Sequence, residues 1–175
     1  MEKRVVNIIS GSAGGTAAKG SVTYKISLPS MWVKNIGLDE KKAEISFDGE
    51  TITISPVLSA SEFYDKKAEL GNDIKIIEYY DRDKLCTRIY ADFSDKTIKA
   101  ENFNEQIVKT AFGNNEHISW EDFEHFLEDR CISKYRDGLK EYLDAIGLYE
   151  YDPMEIIRKT EGRMAEDEQW IKVVE

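Results

Sequence analysis

The chain has 175 residues, 41% of them apolar, with 24 Lys and Arg against 34 Asp and Glu and a formal net charge of -10. Length and apolar share suit a globular protein, either one domain or a small module joined to a larger one. No run approaches the roughly 18 apolar residues of a membrane-spanning helix, and MEKRVVNIISGSAGG has too short an apolar run for a secretory signal. A cytoplasmic location without a membrane partner is the expectation. Cys86 and Cys131 are too few for a disulfide framework and read as reduced, buried thiols.

An acidic chain repels phosphate at long range, which on its own argues against nucleic acid. The charge is unevenly placed, however. Residues 1–36 hold Lys3, Arg4, Lys19, Lys25 and Lys34 against Glu2 alone, a balance of +4 that leaves -14 for the remainder. A basic contact surface joined to an acidic body follows from that asymmetry.

In chain order, Val5 to Ser10 reads as a first strand, and GSAGGTAAKG, with four glycines, as a loop that phosphate could approach. Val22, Tyr24, Ile26 and Leu28 alternate with Thr23, Lys25 and Ser27 in a second strand, which Pro29 ends because it has no N–H. Met31, Trp32 and Ile36 form the apolar stripe of a two-turn helix closed by Gly37. Ala43 to Ser55 predicts a hairpin with a two-residue turn at Asp48-Gly49. Four short strands and one short helix bury little surface alone, and dimerisation is the physical remedy.

Pro56 and Ser59-Ala60-Ser61 mark a boundary before a helix from Ser61 to Leu70, giving domains 1–56 and 57–175. DIKIIEYYD, KLCTRIYADFS and KTIKAENF predict an antiparallel meander. Three helices follow. The first opens with a Ser119/Asp122 capping box; the second carries Tyr135, Leu139, Tyr142, Leu143 and Ile146 and stops at Gly147; the third begins with Asp152 as N-cap and Pro153 at its first position. The expected class is α+β.

Lys25-Ile26-Ser27-Leu28-Pro29, then Gly37-Leu38 eight residues after the Pro, then a hairpin, resembles the swapped-hairpin DNA-binding domain of the AbrB, MazE and SpoVT group. The resemblance covers Val5 to Pro56. It implies a homodimer in which two chains exchange hairpins to make one barrel, with basic residues lying along the major groove of double-stranded DNA. By position it gives Lys25 the role of the basic residue that starts the strand, Lys34 that of one on the short helix and Lys19 that of one in the preceding loop; Arg4 joins them as a DNA-binding candidate. Phosphate and base-edge contact are the implied roles. Lys stands at all three positions where the family usually carries several Arg, and it lacks the planar fork that reads guanine.

The stretch YDPMEIIRKTEGRMAEDEQWI resembles C-terminal segments of bacterial proteins from toxin–antitoxin neighbourhoods. Together the two resemblances imply a transcriptional regulator, an antitoxin that represses its own operon and binds a toxin through its acidic body. Tyr149, Tyr151 and Trp170 are the partner-binding candidates, because large aromatics supply most interface energy once desolvated; Trp120 suits an ordinary core position better. The alternatives are an enzyme, or a scaffold whose barrel only dimerises. His117, His125, Cys131 and Glu121 lack metal-ligand spacing, and Gly11 to Gly15 lacks the Lys-Ser/Thr ending of a phosphate-binding loop. No metal, cofactor or catalytic activity is therefore expected.

Overall fold

The computed structural model describes residues 2–12, 18 and 20–174, and the chain divides into two units, Met1–Val57 and Leu58–Glu175. In the first, β1 (Ile9–Ser12) and β2 (Val22–Lys25) form an antiparallel hairpin with Ile9 opposite Lys25. The predicted strand from Val5 starts four residues too early. Continuing this register would set Val5 to Ile8 against the segment ending at Pro29, where the missing N–H and the helix start remove a partner. Helix α1 (Ser30–Asn35) follows at once. Gly37 (φ 71) closes it, its N–H reaching Lys34 O and that of Leu38 reaching Val33 O at 3.0 and 2.9 Å.

β3 (Ala43–Phe47) and β4 (Ile52–Pro56) pair from Ala43 opposite Pro56 to Phe47 opposite Ile52. The connection is therefore Asp48–Thr51 rather than a two-residue turn at Asp48-Gly49. The Asp48 carboxylate decides this by accepting the N–H groups of Glu50 and Thr51 at 2.9 and 2.8 Å, which holds Asp48 before the bend and also keeps its pKa below the ordinary carboxylate value. Among the described residues the two hairpins remain separate sheets, no barrel closes, and no residue of this unit is buried.

The second unit opens with α2 (Ala60–Glu69), which starts earlier than the predicted Ser61 because Ser59 and Glu62 form a reciprocal capping box. A four-stranded antiparallel sheet follows in the order β7-β6-β5-β8, from β5 (Ile74–Asp81), β6 (Lys84–Asp92), β7 (Thr97–Asn102) and β8 (Gln169–Val174). The meander β5–β6–β7 is thus joined by a C-terminal strand, β8, beyond the three predicted strands. β8 runs along β5, with Ile171 opposite Tyr79 and Val173 opposite Ile77.

Period-two alternation sets the two faces of this sheet. Ile77, Tyr79, Ile89, Ala91 and Ile171 share a buried cluster with Phe123, Phe126 and Leu127 of α3 (Trp120–Asp129), Leu143 of α4 (Leu139–Ile146), and Ile156 and Ile157 of α5 (Pro153–Thr160). On the other face Ala60 and Phe63 of α2 pack against Tyr90. The fold is mixed α+β, with five α-helices among the described residues. Tyr135, expected on the second of the C-terminal helices, is 86% exposed and precedes α4, because Gly138 (φ 79) places the helix start after it.

Candidate functional site

The positive candidates belong to the first unit. Lys25 ends β2 and Lys34 lies in the last turn of α1, where an ammonium complements the negative helix end. Arg4 lies ahead of β1, and Lys19 falls outside the described residues. Arg4, Lys25 and Lys34 are all exposed, and among the described residues none of the three side chains is engaged in an ion pair or hydrogen bond. Glu2, the single acidic residue among positions 1–36, accepts the indole N–H of Trp32 at 2.6 Å. Lys25 at a strand end, Lys34 in a last helical turn and Arg4 ahead of β1 each present a positive charge to solvent.

The same unit exposes a run of large apolar side chains. Val5, Ile9, Tyr24, Met31, Ile45, Phe47 and Ile52 are all at least 60% accessible, with Phe47 and Ile45 at 68%. Fully burying a side chain of this type stabilises by about 1.5–3 kcal/mol, so the uncovered set represents a large unrealised driving force.

The partner-binding candidates fall into three different settings. Tyr149 is 97% exposed. Tyr151 is half-buried; its hydroxyl donates to Ile132 O at 3.0 Å, and burial, with the nearby Cys131 and Glu128, pushes it up to about 12. Trp170 is tied inward: its ring stacks on Tyr80 at 4.5 Å, Arg163 lies 4.8 Å from its centroid, and its indole donates to Arg82 O at 2.6 Å. Trp120 packs edge-on against Phe93 at 5.0 Å and donates to Glu124 at 2.7 Å.

The C-terminal stretch YDPMEIIRKTEGRMAEDEQWI is organised by Arg130. This buried guanidinium donates to both oxygens of Asp167, to Gly162 O and to Gln169 O. Gly162 (φ 56) lies so close to Arg130 that a Cβ there would stand 3.2 Å from the Arg130 Cβ. GRMAEDEQW is therefore the link that carries the chain from α5 to β8 around Arg130. An Arg beside the buried Cys131 at the end of an otherwise acidic helix was the available signal.

His125 faces Glu121 at 3.7 Å on an exposed part of α3, and among the described residues no group of three or more His, Cys, Asp or Glu side chains is placed to hold a metal. Burial, then the charges of Asp152 and Glu128, push the Cys131 thiol up to about 12, which makes it a poor nucleophile at neutral pH. No described helix is long and apolar enough to cross a membrane. Compared with known proteins, the chain matches no family model, no curated protein and no solved structure.

Proposed function

We propose that the chain is a DNA-binding transcriptional regulator: two copies complete the N-terminal core by exchanging hairpins, and their lysines contact operator phosphates. The acidic second unit then binds a basic protein partner, as an antitoxin binds its toxin while repressing their shared operon. One observation carries the reading. The first unit places unpaired Arg4, Lys25 and Lys34 on a framework of two hairpins and a short helix that buries none of its described residues. Such a unit needs a second surface over Ile45, Phe47 and Ile52, and a second copy offers the same apolar set in return. The pairing of basic ends with a self-complementary apolar face is what a small dimeric DNA binder requires.

The test is binding of the full chain to the DNA upstream of its own gene, beside an unrelated duplex of equal length and the Lys25→Ala/Lys34→Ala variant. Preferential binding to the upstream DNA, lost in the variant while its fold is retained, supports the reading. Equal weak binding to both duplexes, or none, reduces the first unit to a dimerisation device.

A further inference from the structure

Between α3 and the segment leading into α5 lies a cavity of about 430 Å³, floored by Phe93, Trp120 and Tyr151 and walled by Glu124, Glu128 and Asp152. A second hollow of about 290 Å³ shares Glu128 and Tyr151 with this trough. The larger volume is in the range of small-ligand sites, sufficient for one long side chain and its backbone.

Charge identifies the occupant. Glu124 accepts the Trp120 indole N–H through Oε1 at 2.7 Å, and Asp152 accepts the N–H groups of Met154 and Glu155 through Oδ1 at 2.8 and 3.2 Å. Neither carboxylate has a cationic partner among the described residues. Glu128 is paired at 3.0 Å with Lys134, a side chain 42% exposed that water can release. The other nearby cations are committed elsewhere: Arg130 to Asp167, and Lys75 to Asp73 with its Nζ 4.3 Å from the Phe93 centroid. The trough thus combines aromatic surface with two carboxylates that have no cationic partner among the described residues, which suits a cation and disfavours an anion or a neutral apolar chain. A guanidinium fits best, being planar, weakly hydrated, able to stack on aromatic rings and able to bond a carboxylate through two N–H groups.

We propose that this trough receives an arginine side chain from a basic segment of a partner protein. The inference deepens the reading of the acidic unit as a partner-binding body and rests on it. The guanidinium lies against Trp120 and Tyr151 and donates to Glu124 and Asp152, while exposed Tyr135 and Tyr149 are available to the flanking peptide.

The test uses the full chain and a blocked peptide, acetyl-Gly-Arg-Gly-Arg-Gly-amide, titrated by calorimetry and by NMR of the Trp120 indole N–H. Its citrulline counterpart keeps the shape and removes the charge; its lysine counterpart keeps the charge and removes the plane. In the Glu124→Gln/Asp152→Asn variant the indole acceptor and the helix cap remain while both charges are lost. The expected result is binding of the arginine peptide that moves the Trp120 signal and weakens about tenfold or more with citrulline, with lysine and in the variant. Absence of binding at millimolar peptide, equal binding of the citrulline or lysine peptide, or an unaffected variant would overturn the proposal. DNA binding measured on the natural chain separates the two ideas: a natural chain that binds its operator but not the arginine peptide has lost the trough assignment alone.

Discussion

Arg130 and Asp167 stand 37 residues apart in sequence and meet through two parallel hydrogen bonds of 2.6 and 3.0 Å. The guanidinium also holds Gly162 O and Gln169 O, so one side chain at the C-cap of α3 fixes the path by which β8 reaches the sheet edge. Replacing Arg130 by Met leaves a carboxylate and two carbonyls without their donor. The expected loss is about 3 kcal/mol, at the low end for breaking a buried pair because Asp167 keeps some contact with water. Urea unfolding of the full chain, followed at the second unit's aromatic signals, measures it.

The same contacts set a response to acid. Hydrogen bonds from Arg130 hold Asp167 below the ordinary carboxylate range. At Asp92 burial pushes the other way, and the donors Lys67, Asn72, Asp95 N–H and Ser94 N–H together outweigh it, so its pKa is also lowered. A carboxylate with a lower pKa in the folded state contributes stability above its unfolded value of about 4 and loses it as pH falls through the folded value. The urea midpoint should therefore be insensitive to these groups from pH 7 to about 5 and should fall below pH 4. An Asp92→Asn/Asp167→Asn variant should start lower and lose less over the acid range.

Gly162 and Gly147 both have positive φ, at 56° and 77°, but in different surroundings. A Cβ at Gly162 meets Arg130 Cβ at 3.2 Å and both Arg130 O and Ile171 Cδ1 at 3.4 Å, whereas at Gly147 nothing lies within 4 Å. Gly147→Ala should cost about 1 kcal/mol, the left-handed backbone penalty alone. Gly162→Ala should cost roughly 2–3 kcal/mol, because packing around the Arg130 backbone must shift as well. Equal losses in thermal unfolding would show that the close approach carries no energy.

Phe47 is 68% exposed in the single chain, so a lysine there should be harmless to a monomer. If a second copy covers this face, Phe47→Lys buries a charge at the interface and dissociates the pair. Sedimentation equilibrium should show a dimer for the natural chain and a monomer for the variant, with the second unit's unfolding transition unchanged. A natural chain that sediments as a monomer would remove the shared core from the account.

What was legible in the sequence was chemistry acting over a few residues. The Ser119/Asp122 box, Asp152-Pro153 and Gly147 bound their helices because each cap is complete within about four positions. The β3–β4 hairpin was visible in its alternation, but its turn is four residues long rather than two, since Asp48 bonds backbone that periodicity does not report. β8 was missed because its partner β5 lies about 90 residues away and no local turn announces the pairing. Arg130 looked like one of several dispersed arginines; only the return of Gly162 and Asp167 to α3 makes it central. Lys25 and Lys34 stand out by charge asymmetry and by their positions in the family resemblance, whereas the trough needs α3 and the start of α5 side by side, a relation that exists only in three dimensions.

The most direct measurement of the central claim is the salt dependence of operator binding by the full chain. Arg4, Lys19, Lys25 and Lys34 supply up to eight cations in a dimer, and the logarithm of the binding constant should fall linearly with that of salt, with a slope of up to about -7. Removing Lys25 and Lys34 from both chains should make that slope shallower by about 4. A slope near zero, or one that the double variant leaves unchanged, would contradict the account by showing that these side chains do not meet DNA phosphates.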